Sequence, residues 1–341
     1  MTINRRKFIS QTTCAIAGSI ALARPPLFRQ NVVMTVNGEI PADQLGFSLT
    51  HEHVLVDFIG ADKVDPSRYD AIDVYKRALP LLLTAKEKGC KTLVECTPAY
   101  LGRDVKLLQK LSKETGLNIL TNTGYYGAAK EKYLPALAYK ETANQVAARW
   151  INEWTNGIEA SGIRPGFIKS GVDKFPLSEV QQKMIEAAAM THLATGLTFG
   201  VHTGDGAAAM EEMRIFDSLG VDASAWIWIH AQNEKQRELH IRAAKAGGWV
   251  SYDGVHANSI SDCLDFLKDM KREQLLRRVL LSHDSGWYHV GEPGGGEYND
   301  YNTIADKLIP VMKENGFTQS DVLQIFVNNP ANAFAIRVRK K

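Results

Sequence analysis

Cysteine is scarce in this chain: four among 341 residues, at Cys14, Cys90, Cys96 and Cys263. Cys14 stands in the N-terminal leader and lacks the neighbours that would make it a lipid anchor. The other three make an odd count at no metal-ligand spacing, which argues against a disulfide framework and a cysteine-held metal. A lone Cys90–Cys96 bridge is the only pairing left open. Excess charge is lacking too, with 40 Lys and Arg against 38 Asp and Glu for a formal +2. No basic block is interleaved with aromatics, which argues against a nucleic-acid partner. Repeats, low-complexity tracts and a mid-chain linker are absent.

The N-terminus reads as an address, not as fold. "NRRKFIS" (4–10) precedes "QTTCAIAGSIALA" (11–23), a charged start, a short apolar run and an A-x-A-like end at Ala21–Ala23. That run is too short to span a bilayer comfortably, and the pattern is that of an export signal. Arg5-Arg6 with Phe8 resembles the twin-arginine signal. The expected organisation is therefore an export signal over 1–23, a fold over 24–341, and a periplasmic location. Removal of 1–23 leaves 37 bases against 38 acids, a nearly neutral mature protein.

What the rest of the chain has is alternation. Short β-branched or apolar runs occur at 47–54, 91–97, 118–123, 166–171, 197–203, 226–231, 248–254 and 279–284. Helix-period segments lie between them. The clearest is 178–195, where Ser178 can cap, Val180, Met184, Ala187, Ala188 and Thr191 share a face, and Gly196 stops the helix as Gly116 stops an earlier one. Eight strands alternating with helices predict an α/β fold, one (β/α)8 TIM barrel with its active site at the C-terminal ends of the strands. A doubly wound sheet is the alternative, but no G-x-G-x-x-G follows the first strand.

Candidate ligands sit at those ends. His51 and His53, in "SLTHEHVLVD" (48–57), are two apart and project from one strand face, with Glu52 pointing to the other. Lys169 closes strand four, His202 strand five, His230 strand six and Asp284 strand eight. Alone, each reads as an ordinary core or surface residue. Six on one barrel axis without a metal would each cost on the order of a few kcal/mol in unsatisfied polarity.

These residues and their flanks resemble the phosphotriesterase family of the amidohydrolase superfamily over 33–336. The matching pieces are "THEHVLVD" (50–57), "GRDVKLL" (102–108), "TNTGYY" (121–126), "RPGFIKSG" (164–171), "LATGLTFGVHTGDG" (193–206), "WIHA" (228–231), "LLSHD" (280–284) and "NNPANAFAI" (328–336). The resemblance implies that His51, His53 and Asp284 bind one metal and His202 and His230 a second. Lys169, carboxylated by CO2, and a hydroxide would bridge the two. An ammonium cannot ligate, whereas a carbamate is an oxygen donor on a long tether. Imidazoles with oxyanion ligands suit zinc best. Such a pair activates water and polarises an electrophile, so the resemblance implies a hydrolase, with Asp284 placed to take the proton. It also implies a possible homodimer.

Departures bear on the substrate. The family's proton relay, a histidine after strand seven and an aspartate after the strand-six histidine, is replaced by Gly254 and "AQN" (231–233). His256 or Glu234 is the candidate substitute. Asp253 is expected to support His230 or to contact substrate. The aromatic, glycine-rich loop 285–300 places Trp287 and Tyr288 as pocket candidates, and Tyr126 matches an aromatic that relatives hold over the metals. No arginine fork is evident, which argues against a polyanionic substrate, with Arg68 and Lys130 held in reserve on loops. The expected activity is hydrolysis of a small-molecule lactone or carboxylic ester by the bridging hydroxide, with phosphotriester (organophosphate) hydrolysis the alternative. A non-catalytic exported binding protein and an amide-cleaving or deaminating enzyme are remoter.

Overall fold

The computed structural model describes residues 31–341; the segment read as an export signal, 1–23, lies outside the described residues. Eight strands carry the architecture. They are β1 (Ser48–Glu52), β2 (Thr92–Glu95), β3 (Asn118–Leu120, resuming at Asn122–Thr123) and β4 (Phe167–Val172). Then come β5 (Phe199–Thr203), β6 (Trp226–Ile229), β7 (Trp249–Tyr252) and β8 (Val279–Leu281). Each falls inside or within a residue of an apolar run read from the sequence.

Neighbouring strands pair in parallel from β1 to β8 in chain order, the ladder changing segments within β3. Helices α1 (Ala71–Glu87), α2 (Val105–Thr115), α3 (Ala143–Asn156), α4 (Glu179–Thr195), α5 (Gly206–Ser218), α6 (Arg237–Lys245) and α7 (Ile260–Arg272) follow β1 to β7 in turn. The fold is the expected (β/α)8 barrel. Covered on the outside by helices and filled on the inside, β4 is buried at every position, as parallel strands between two layers are. Among the described residues no helix is long and apolar enough to cross a membrane.

Local chemistry explains the helix ends. Ser178 and Gln181 form a reciprocal capping box at the start of α4, and Gly196 ends it at φ 78°. The five residues expected on its inner face are all buried. A feature not expected is an N-terminal hairpin, Val32–Thr35 against Gly38–Pro41, that closes the barrel floor with Phe334 and Phe167.

The seam between β8 and β1 has no regular ladder. It is held instead by Thr50 Oγ1 donating to the Leu281 carbonyl (3.2 Å), His51 N to Ser282 Oγ (2.9 Å) and Asp284 N to the His51 carbonyl (3.0 Å). Cys90, Cys96 and Cys263 are free and buried, so the conceivable Cys90–Cys96 bridge is not formed.

Candidate metal centre

At the C-terminal ends of the strands lies a cavity of about 160 Å3 lined by His51, His53, Lys169, His202, His230 and Asp284. The structure thus brings together all six residues read from strand ends. A larger groove of about 820 Å3 runs between Tyr69 and Arg149, but its basic groups are spent on neighbours, Arg103 on Glu153 and Arg149 on Glu141.

β1 delivers two imidazoles to one point: His51 Nε2 and His53 Nε2 are 3.3 Å apart. Asp284 Oδ1 lies 3.4 Å from the first and 3.1 Å from the second. His53 Nδ1 is 2.8 Å from Thr97 Oγ1, whose own hydrogen goes to the Leu55 carbonyl at 2.9 Å. Thr97 must therefore accept from Nδ1–H, which leaves His53 Nε2 as a bare lone pair. That lone pair faces a carboxylate oxygen that is buried and has no hydrogen-bond partner. Without a cation between them this is electrostatically unfavourable; with one it is a ligand set. The donors fit a metal.

Across the cavity, the His202 and His230 rings approach to 4.4 Å between centroids. His230 Nδ1 donates to Asp253 Oδ1 at 2.6 Å, leaving Nε2 as its free nitrogen. Asp253 is wholly buried and also lies 3.3 Å from His51 Nδ1, so a single carboxylate backs one imidazole from each side of the centre. It further accepts from Ser251 Oγ (2.8 Å), Gln232 Nε2 (3.0 Å) and the His230 amide (3.2 Å). Burial works to raise its pKa, but His230 and His51 outweigh that and hold it well below the usual carboxylate range. Asp253 is absent from the cavity lining, and its contacts are those of the expected support for His230.

Lys169 is buried, with its Nζ 3.4 Å from the Ser170 carbonyl and 5.3 Å from the centre of the Tyr126 ring. Burial lowers its pKa, which favours the neutral, nucleophilic amine that CO2 addition requires. His202 is pushed well below its ordinary value, by burial first and by His230 and Lys169 next. Burial acts to raise the Asp284 carboxyl, while positive charge on His51 and His53 would lower it, and the net direction is down.

Backbone geometry at this end is strained where aim matters. His230 and Asp284 are both left-handed, at φ 63° and 56°, a conformation costly for residues other than glycine. Gly286, at φ 98°, passes so close to the His53 carbonyl that a Cβ there would collide with it. Gly171 faces the Tyr126 ring, where a Cβ would come within 2.9 Å, and so leaves room for that ring beside His202.

Of the expected pocket residues, Tyr126 and Trp287 line the cavity. Trp287 packs on His53, ring centroids 4.1 Å apart and tilted by 34°, and its Nε1–H is spent on the Asp284 carbonyl at 2.6 Å, so toward the cavity it is a wall. Tyr288 does not line it: it pairs with Leu55 in a short parallel ladder and packs on Gly295, its neighbour's side chain having taken the inward direction. His256 is exposed on its loop, and Glu234 accepts from Gly206 N and Gln236 N at the start of α5. Neither replaces the missing relay in the cavity. Gln232 fills the space beside Gly254 instead. Arg68 is ion-paired to Asp57 at 2.6 Å, and Lys130 is exposed. Phe58 and Tyr133, not anticipated, complete the cavity wall; they lie on loops, where no periodicity marks them.

Against known proteins, the model of the phosphotriesterase family matches residues 31–334. N-acetyltaurine hydrolase of Danio rerio is 27% identical over 342 residues, covering 87% of this chain and 96% of its own. The solved organophosphorus hydrolase of Deinococcus radiodurans is 27% identical with a TM-score of 0.80, covering 89% of this chain and 97% of that one. A PTE-like lactonase mutant from the same organism is 27% identical with a TM-score of 0.80, covering 89% and 99%.

Proposed function

The chain belongs to the phosphotriesterase family of metal-dependent hydrolases, and from that premise we propose that it hydrolyses small, uncharged lactones or carboxylic esters with two zinc ions. The observation that carries this is the pairing of the donor cluster with its cavity. Bare imidazole nitrogens converge on an unpartnered carboxylate inside about 160 Å3 whose basic groups, imidazoles aside, are limited to Lys169. By liquid packing that volume equals about five waters, below the roughly 300 Å3 where drug-sized pockets begin.

His51, His53 and Asp284 would hold one ion, and His202 with His230 the second. A carboxylated Lys169 would join them. Two divalent ions held there would supply a water of lowered pKa and an electrophile for the substrate oxygen. The chain does the rest. Asp253 fixes the Nδ1–H tautomer of His230, and Thr97 that of His53, so that each presents Nε2. Asp284, its pKa held below the ordinary carboxylate value, would be the group placed to accept a proton there. Burial pushes the Tyr126 phenol up, so it stays protonated and can donate to the substrate's carbonyl oxygen. Trp287, Phe58 and Tyr133 exclude bulk water and bound the acyl group.

The second reading is phosphotriester hydrolysis, favoured by the likeness to the Deinococcus organophosphorus hydrolase. A sulfonate substrate of the kind named for the Danio relative fits less well, because the cavity lining offers no guanidinium to receive it. Export of the mature chain through the 1–23 signal and assembly into a homodimer complete the proposal.

The test is a zinc count on the purified chain with parallel kcat/KM for short γ- and δ-lactones, aryl acetates and an aryl phosphotriester, before and after chelation. Two ions per chain, with lactone or ester turnover exceeding the phosphotriester's, is the expected result. Trace metal only, or a dominant phosphotriester rate, overturns it.

A further inference from the structure

Glu52 stands between the two strand-one histidines and points away from the cavity, and nothing in the chemistry above uses it. Its carboxylate is wholly buried on the far face of β1. There it accepts four hydrogen bonds from one short segment. Oε1 takes Ser282 Oγ (2.7 Å), His283 N (3.0 Å) and His283 Nδ1 (2.7 Å), and Oε2 takes Ser285 N (2.8 Å). These donors bracket Asp284 on both sides. The flanking histidines join in through their backbones: Asp284 N donates to the His51 carbonyl, and His53 N to the Ser285 carbonyl at 2.8 Å. His283 Nε2 accepts from Ile304 N at 3.0 Å, which fixes the Nδ1–H tautomer that donates to Glu52.

From this we infer that Glu52 and His283 are positioning residues that hold Asp284 in its left-handed conformation, with its carboxylate on the His51 and His53 nitrogens. The inference rests on the metal reading of that site and adds a device to it. A residue other than glycine at φ 56° persists only where its surroundings impose it. Here the imposition comes across the barrel seam, where no ladder bonds β8 to β1. One strand therefore supplies two ligands from one face and aims a third from the other. A carboxylate is suited to the task because it accepts only, and all four groups facing it donate.

Four proteins test it: wild type, His283→Asn, His283→Leu and Glu52→Gln. Asparagine can place an N–H where Nδ1–H was and so keep the bond to Glu52 while giving up the one to Ile304. Leucine keeps bulk and gives up both. In Glu52→Gln an amide N–H faces donors. The first readout is zinc titration of the apoprotein by calorimetry. The expected result is that one of the two sites weakens about 10–100-fold in His283→Leu and Glu52→Gln, while His283→Asn stays near wild type. The second readout is the crystal structure of each apoprotein, which needs no metal. Displacement of Asp284 from the His51 and His53 nitrogens in His283→Leu, but not in His283→Asn, supports the inference.

Wild-type zinc affinity at both sites in His283→Leu, equal loss in His283→Asn and His283→Leu, or an unmoved Asp284 in Glu52→Gln overturns it. A wild type that binds no zinc defeats the proposed function alone, and the apo structures then decide the positioning claim. Should Glu52→Gln fail to fold, the two His283 variants carry the same comparison.

Discussion

Behind the strand that carries His202 sits a carboxyl group whose ionisation the structure opposes. Glu212 on α5 is wholly buried, and burial pushes its pKa up to about 8 from 4.5. Its two hydrogen-bond partners, Thr203 and Trp226, favour the carboxylate, but burial outweighs them. Trp226 Nε1 donates to one oxygen at 2.7 Å, while the other lies 2.8 Å from Thr203 Oγ1, which itself donates to the Val201 carbonyl at 3.0 Å. A protonated Glu212 can donate to Thr203 Oγ1 while Thr203 donates to the Val201 carbonyl; an ionised one takes the Thr203 hydrogen instead.

The sign follows from linkage. The folded form keeps a proton that the unfolded chain releases above pH 4.5, so stability falls as pH rises from 4.5 and levels off above about 8. Two buried histidines, His192 and His240, are lowered to about 4 and act oppositely, but only up to the ordinary histidine value of 6.5. Between pH 6.5 and 8.5 Glu212 is therefore the clear contributor among these three. At roughly 1.4 kcal/mol per pH unit, the span from pH 6.5 to its pKa amounts to about 2 kcal/mol of lost stability. Glu212→Gln presents an N–H to Thr203 and a carbonyl to Trp226 with nothing to titrate. Urea denaturation of both proteins across that range, at fixed zinc, is the assay. The wild type is expected to lose about 2 kcal/mol more than the variant over this range. A variant whose profile keeps the wild-type slope refutes the protonated-acid assignment.

Two further outcomes concern the metal centre. Lys169→Ala is expected to lose most of its bound zinc and to fall in kcat by at least about two orders of magnitude, since several kcal/mol of transition-state stabilisation rest on the ions. Bicarbonate or a short-chain carboxylate should restore part of both, measured by metal analysis and initial rates; unchanged metal content would remove Lys169 from the bridge. Asp253→Asn turns an acceptor facing two imidazoles into a group that can also donate. Zinc affinity by competition with a chromophoric chelator should drop about 10–100-fold, and wild-type affinity would show that Asp253 does not govern the imidazoles.

How much of this was legible beforehand differs from residue to residue, for physical reasons. The period-two spacing of His51 and His53 states their common direction outright, because strand geometry is local. Ser178 and Gly196 likewise mark α4 through bonds made within a few residues. Phe58 and Tyr133 carry no such mark: whether a loop aromatic faces the cavity depends on the loop's path. Tyr288 and Trp287 are adjacent aromatics, and only the short ladder with Leu55 decides which of the two turns inward. His230 and Asp284 are marked by their places at strand ends, but their aim is not legible locally, since the left-handed turns that direct them are imposed from elsewhere in the fold.

Glu52 is the instructive case. The same alternation that sends the histidines inward states that it points outward, and a charge on the outer face of a barrel strand has to meet partners under the helices or the seam. Its partners lie some 230 positions away in sequence, at Ser282, His283 and Ser285. A local reading can thus establish that such an acid needs donors, but only the closed barrel shows that they flank Asp284. In "HEH" the spacing of the histidines and the identity of the residue between them serve one centre from opposite faces of the strand.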